Sequence, residues 1–349
     1  MRDRPGEGPG PGEGTEPHPE GDHPAAPAGT DDALHEVGRG RQAWRPYGIQ
    51  LAGWRDIALR ALRRIGPDLF PLLAAGVAFF GMLALFPAIA LLASLAGVIF
   101  EPEIVVRQID GLAGVVPPEA LAVVSDQAAA LAGQATGRAT TTALISFGFS
   151  LFWASRGIDN LVSGINMAHA EAETRNIIVR NIVSLWLTGM LAVLTLFTIA
   201  VALVIPPLAE ALRLAGRSDT IVTVVRWPLL ALLSMVALGL IYRYAPARRP
   251  PRWSWVTPGA LMGTALWLGG SWLFFAFVRN IADYQPMYGA LAGVVTLLLY
   301  IWLTAFVVIL GALLNAEMEH QSARDTTRGR VRPMGQRDAR MADTLGRKP

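Results

Sequence analysis

From Ala290 to Leu314 the chain carries no charged side chain. A helix of about 25 residues, rising about 1.5 Å per residue, exceeds the roughly 30 Å hydrocarbon core of a bilayer. The stretch therefore predicts a membrane-spanning helix. It is opened by the turn-forming run Tyr284-Gln285-Pro286-Met287-Tyr288-Gly289 and closed by Asn315-Ala316-Glu317-Met318-Glu319. Helices of soluble domains rarely run so far without a charge, so the other apolar runs are read as its partners in a bundle.

Six spans are predicted: Phe70 to Phe100, Ala139 to Ser155, Ile182 to Ile205, Val222 to Tyr242, Val256 to Val278, and the Ala290 stretch. The first is too long to cross upright and must tilt, bend or project, with Pro87 as the place for a bend. The second continues as a polar helix past Ser155. Pro206-Pro207 is read as the stop of the third. The expected fold is all-α, a polytopic membrane protein with six transmembrane helices and both termini cytoplasmic. Orientation follows from arginine: 15 flank the spans on the side that holds both termini, against 6 opposite (Arg107, Arg138, Arg213, Arg217, Arg226 and Arg279). That bias puts both termini of a multi-pass membrane chain in the cytoplasm.

Four regions are expected. Residues 1–46, rich in Pro, Gly and acidic side chains, have too little apolar surface to offset the entropy of ordering them and are read as a disordered tail, not a signal peptide. Residues 47–66 place Leu51, Trp54, Ile57 or Ala58, Ala61 or Leu62, and Ile65 at helical spacing with Arg55, Arg60, Arg63 and Arg64 between them. That pattern suits an amphipathic helix in the membrane interface; an ordinary packing helix is the other reading. Residues 67–318 are the membrane domain, and 319–349 a basic disordered tail. The loop Glu101 to Arg138 has weak helical periodicity, consistent with two short helices over the outer mouth or with a plain connection.

Enzymatic chemistry finds little support. The chain has no cysteine, which removes disulfides and thiolate chemistry together. Of five histidines, His18, His23 and His35 lie in the N-terminal tail, and His169 and His320 have no metal-ligand spacing. No Gly-x-Ser-x-Gly elbow or Walker-type loop occurs. The reading is therefore a non-enzyme without cofactor or metal. All 30 basic residues but Lys348 are arginine, and 27 acidic residues leave a net charge of only +3, no argument for nucleic acid.

The candidate site residues are polar groups near or inside the bilayer, which are costly unless paired or hydrated. Arg156, Asp159, Asn160, Asn166, Arg175, Arg180 and Asn181 gather where the second and third spans meet the cytoplasm. Arg156, Asp159 and Asn160 fall at i, i+3 and i+4 and share one helix face. Arg156 is then either a headgroup ligand oriented by Asp159 or its local ion-pair partner. Asn315 and Glu317 end the sixth span, and Glu317 is expected to pair with Arg156, Arg180 or Arg243 as a gate, or else to stand exposed. On the outer side Arg226, Arg279, Tyr284 and Tyr288 are mouth candidates, with snorkelling and interfacial anchoring as the ordinary alternatives. Gly259 and Gly263, and Gly289 and Gly293, have the Gly-x-x-x-Gly spacing of close helix contacts.

Several of these segments carry a resemblance in their order and spacing. They are Phe79-Phe80-Gly81-Met82-Leu83-Ala84-Leu85-Phe86-Pro87, Phe152-Trp153-Ala154-Ser155-Arg156-Gly157-Ile158-Asp159-Asn160 through Asn166, Arg175 to Arg180, and Tyr242-Arg243-Tyr244-Ala245-Pro246. Pro258-Gly259-Ala260, Tyr288-Gly289-Ala290-Leu291 and Gly311-Ala312-Leu313-Leu314-Asn315-Ala316-Glu317 complete the set. Over roughly Leu51 to His320 the chain resembles the YihY/BrkB family of bacterial inner-membrane proteins, whose older label is ribonuclease BN. The resemblance implies six transmembrane helices with cytoplasmic termini and carries little mechanism.

The functional expectation is transport or flipping of an amphiphilic, anionic substrate. The alternative is an envelope scaffold using the same helices for packing. Partners would be membrane lipids, a second copy or an envelope protein.

Overall fold

The computed structural model describes residue 36 and residues 38–99, 139–211, 218–280 and 289–348. Every regular element among them is helical. Helix α1 (Leu51–Arg64) precedes six long helices: α2 (Phe70–Ile99), α3 (Ala139–Ala168), α4 (Ile177–Ala211), α5 (Ser218–Tyr244), α6 (Trp253–Asn280) and α7 (Ala292–Gln321), with a short α8 (Arg340–Asp343) near the C-terminus. The six overlap the six predicted segments. Phe70–Ile89 of α2, Ile177–Thr198 of α4, and α6 and α7 throughout are long and apolar enough to cross a membrane; the apolar part of α5, Pro228–Tyr244, is shorter. Helix α3 is apolar only as far as Ser155 and then continues, as expected, through Arg156, Asp159 and Asn160.

The stop expected at Pro206-Pro207 does not occur. Helix α4 runs through Pro206-Pro207 to Ala211 instead of stopping, and α2 continues unbroken through Pro87. A proline removes one N–H donor, whereas unwinding in apolar surroundings would strand several backbone groups. The Glu101–Arg138 loop and residues 1–35 lie outside the described residues.

Consecutive long helices are neighbours, and α7 closes the ring by packing on α2 as well as α6, with further contacts to α3 and α1. The charge-free stretch is thus the hub around which the chain folds. Its second half is almost continuously buried, from Ala305 to Gln321. Burial is concentrated at the end where α2, α4 and α6 begin and α3, α5 and α7 finish: Leu161, Val162 and Ile165 on α3, Leu187 on α4, Ile241 and Tyr242 on α5, and Val256 and Ala260 on α6 form one core with Ile309, Ala312 and Leu313. Toward the other end Leu144, Ile145, Phe147, Phe149 and Phe152 of α3, and Val193, Leu196 and Phe197 of α4, are exposed.

Close approach of α6 to α7 depends on glycine. A Cβ on Gly311 would strike the Tyr242 hydroxyl and lie 3.2 Å from Gly263 Cα. The Tyr242 hydroxyl donates to the Val308 carbonyl at 2.9 Å in that crossing. Gly259, the other half of its Gly-x-x-x-Gly pair, meets the Asn315 amide, so this motif is spent inside the chain. Gly311→Ala is expected to cost about 1–3 kcal/mol by overpacking. The control Gly148→Ala, at an exposed helical glycine with open space around it, should cost nothing or gain up to about 1 kcal/mol. Thermal unfolding of both variants in detergent checks the pair.

Residues 322–348, expected as a disordered tail, are instead folded against the end of the bundle. Arg337 donates to the carbonyls of Ala323, Arg324, Arg332 and Ala342, and Asp325 accepts from Thr327 and from the Arg332 N–H. Backbone bonds tie the segment to the α5–α6 loop: Arg252 N–H to Thr326 O and Arg249 N–H to Asp338 O. Composition misled here because the basic residues satisfy carbonyls rather than solvent. The expected N-terminal tail also joins in: Ala323 N–H donates to Arg41 O, and buried Arg41 donates to Gly346 O at 2.7 Å. Both described ends of the chain therefore lie at the same end of the bundle.

Candidate functional site

That end holds an interlocked set of ion pairs. Glu317, in the last turns of α7, is buried with a side chain 1% exposed. It accepts from Arg60 Nε at 2.6 Å and Arg64 Nη1 at 3.0 Å, both from α1, with the His320 ring 3.6 Å away. Arg60 also reaches the Gln321 side chain, and Arg64 reaches Asp68 and the carbonyls of Met167 and Ala168. Glu317 was expected to meet Arg156, Arg180 or Arg243. Helix α1 takes that place because its Arg60 and Arg64, at i and i+4, both face α7.

Glu319 forms a second buried pair. Arg248 grips it through both terminal nitrogens at 2.7 Å each, and the Thr326 hydroxyl adds a third donor at 3.0 Å. The fully buried His169 sits close enough for both charges to act on it. Its Nδ1 lies 2.9 Å from the Ile165 carbonyl and its Nε2 has no partner among the described residues.

A third pair joins α3 to α4. Arg180 donates to Asp159 at 2.6 and 2.7 Å and to the Ser163 hydroxyl at 3.0 Å, and Ser184 adds a longer bond to Asp159. The local Arg156–Asp159 pair is therefore absent; Arg156 lies instead over the Phe152 ring, 5.4 Å from its centroid. Asn160 donates to Arg156 O at 3.0 Å and nestles against Gly76 of α2. Asn166 donates to Glu173 and accepts the Ala247 N–H, while Arg175 clamps Glu173 and reaches Ala245 O. The Arg175 hydrogen bonds hold the Glu173 carboxyl below its usual range despite partial burial.

The remaining candidates separate from this set. Arg243 is buried but donates to Pro251 O and stacks on Trp253 at 4.6 Å, so it locks the α5–α6 corner. Asn315 packs against the start of α6, its amide 3.5 Å from Val256 O. Asn181 is exposed, as is Arg279 in the last turn of α6. The Arg226 side chain, Tyr284 and Tyr288 lie outside the described residues. The sequence reading missed Arg248 and Glu319, and it placed Arg60 and Arg64 either at lipid phosphates or on the solvated face of a packing helix, not at a buried carboxylate. The readable signal was the Glu317-x-Glu319 doublet, two carboxylates at the end of an apolar helix that need cations from elsewhere.

His169 makes the fold sensitive to acid. Burial, reinforced by Arg248, pulls its pKa from 6.5 down to about 3. The folded chain thus refuses a proton that the unfolded chain accepts below about pH 6.5. Stability is full above that value and falls by about 1.4 kcal/mol per pH unit below it, until the folded histidine titrates near pH 3. His169→Gln should remove this part of the slope between pH 6.5 and 5; unfolding midpoints measured across that range are the check, and equal slopes in both proteins would disprove the assignment.

Helices long and apolar enough to cross a membrane, packed side by side, define a helical membrane protein. The chain belongs to the family described as Virulence factor BrkB, which it matches over residues 61–334. It is 32% identical over 183 residues to the "Putative ribonuclease-like protein YfkH" of Bacillus subtilis (strain 168), covering 50% of this chain and 65% of that one. It is also similar to UPF0761 membrane proteins. With that of Stenotrophomonas maltophilia (strain R551-3) it shares 32% identity over 87 residues, and with that of Xanthomonas campestris pv. campestris (strain 8004) 37% over 86, each covering 25% of this chain and 20% of the relative. The chain thus spans under two thirds of the first of these relatives and a fifth of the others. No solved structure matches it. Among the described residues no group of three or more His, Asp or Glu side chains is placed to share a metal ion.

Proposed function

We propose that this is a six-span protein of the bacterial cytoplasmic membrane, with both termini in the cytoplasm, that moves an amphiphilic, anionic substrate such as a lipid. In this reading it is not an enzyme and needs no cofactor. The supporting observation is the contrast between the two ends. Four ion pairs, Asp159–Arg180, Glu317 with each of Arg60 and Arg64, and Glu319–Arg248, join separate segments across one end, while α3 exposes apolar side chains toward the other and α4 does so along its length. Breakable polar pairs over a packed end are what a gate requires, and exposed apolar helix faces suit acyl chains. Arg156 lies three residues before Asp159, about 4.5 Å deeper along α3, and has no carboxylate partner among the described residues. It is the first cation along α3 that a headgroup arriving from the apolar half would meet.

The test is movement of fluorescent anionic and zwitterionic lipids in liposomes containing the purified protein. Wild-type protein should accelerate transfer of the anionic lipid. Arg156→Gln should slow it by about tenfold or more, the loss of one charge-assisted hydrogen bond. No movement of either lipid would favour an envelope scaffold. That second reading is supported by the folded C-terminal segment, which presents Arg328, Arg330 and Arg347 to solvent.

A further inference from the structure

Helix α1 divides its arginines between two jobs. Its inner face buries Gly53, Asp56, Ile57 and Ala61, with Trp54 packed beside Ile57 and Trp255, and sends Arg60 and Arg64 to Glu317. Its outer face leaves Leu51 89% and Leu62 64% exposed, with Ala58 between them and Arg55 and Arg63 alongside, also exposed. The apolar row expected to meet lipid is therefore divided: Trp54, Ile57 and Ala61 turn inward, and Leu51, Ala58 and Leu62 remain outside. Immediately before the helix, Trp44 and Tyr47 are exposed as well, at 56% and 73%.

Two restraints at the C-terminal end of α1 fix the position of this face. After Arg64 the chain turns sharply, with Leu69 in the left-handed region at φ 54°, and enters the membrane-length segment at Phe70. The Glu317 ion pairs hold the same helix against the last turns of α7, the terminus of another membrane-length helix. Helix α1 therefore lies at the level where spans leave the bilayer. A row of leucines there, flanked by guanidinium groups and preceded by tryptophan and tyrosine, matches the chemistry of an anionic leaflet: acyl-chain boundary for the leucines, phosphates for Arg55 and Arg63.

We infer that the outer face of α1 docks on the surface of an anionic bilayer, with Leu51, Ala58 and Leu62 inserted at the headgroup boundary and Arg55 and Arg63 bound to lipid phosphates. This inference does not depend on transport. It concerns how the protein sits on its leaflet, and it ties lipid charge to α7 through the two inward arginines.

The absence of cysteine allows a direct test in the full-length protein. Single cysteines at Leu51, Ala58 and Leu62 carry a spin label in nanodiscs of phosphatidylcholine with or without phosphatidylglycerol, with Gln42→Cys as an exposed reference. Docking predicts that labels on the three face positions collide with oxygen more than with a water-soluble nickel chelate, the reverse of the reference. It also predicts that Arg55→Gln and Arg63→Gln each shift the docked-to-undocked ratio in phosphatidylglycerol by about fivefold toward water. Labels accessible to the chelate in both lipids would overturn the proposal, as would labels shielded from both reagents, which would indicate a protein partner or a second copy. Insertion that is equal in both lipids and unchanged by the arginine variants would overturn the phosphate contacts.

Discussion

Replacing Glu317 by alanine is expected to destabilise the folded protein by about 3–5 kcal/mol, the loss typical when one member of a buried ion pair is removed. The carboxylate is the shared partner of Arg60, 11% exposed, and Arg64, 22% exposed. Without it two guanidinium groups face each other with reduced access to water. Arg64 keeps Asp68 and two carbonyls, so the stranded charge is mainly that of Arg60, whose Nη1 already lacks a partner among the described residues. Glu317→Gln retains an acceptor oxygen and should lose less. The loss should be local first: α1 should detach from α7, seen as faster amide exchange across residues 51–64 before the midpoint of global unfolding moves. A Glu317→Ala protein with wild-type exchange in α1 would show that Ile57 and Ala61 hold the helix without the ion pairs.

Glu319→Ala should be equally damaging, about 3–5 kcal/mol, for a sharper reason. Both side chains of the Glu319–Arg248 pair are 1% exposed, and the geometry is bidentate. Removing the carboxylate leaves a guanidinium in the core beside His169, with its Nε unpartnered in the native protein already. Desolvation of two ions nearly cancels their attraction, so replacing both at once should be far milder than removing one. The double variant Glu319→Leu with Arg248→Met is therefore expected to recover most of the stability, apart from the Thr326 hydrogen bond it also deletes. Unfolding of the two single variants and the double completes the cycle. A double variant as unstable as Glu319→Ala would mean that the pair holds the α5–α6 loop in place rather than merely neutralising itself.

Legibility differed between the two levels. The long helices were visible because each apolar run is its own evidence: a stretch such as Ala290 to Leu314 must be helical to satisfy its backbone in lipid, whatever its neighbours do. The polar continuation of α3 was readable for the same reason, from i, i+3, i+4 spacing alone. The charged contacts were less so. Asp159 had Arg156 one turn away and Arg180 far along the chain, and it pairs with Arg180, because the α3–α4 crossing presents that guanidinium with both nitrogens in line. Residues 322–348 looked like a tail because nothing in a run of arginine, glycine and proline reveals that Arg337 will find four carbonyls.

What the sequence determined by itself was the class of protein and the end at which its charge collects. Hydrophobic length and arginine placement are local sums, and no fold is needed to evaluate them. What the tertiary structure alone decided was which charge meets which. A helix turns by about 100° per residue, so a small change in its rotation carries an arginine from lipid to a buried carboxylate. On α1 that rotation sends Arg60 and Arg64 inward to Glu317 and leaves Arg55 and Arg63 outside, and the packing of α1 on α6 and α7 sets it.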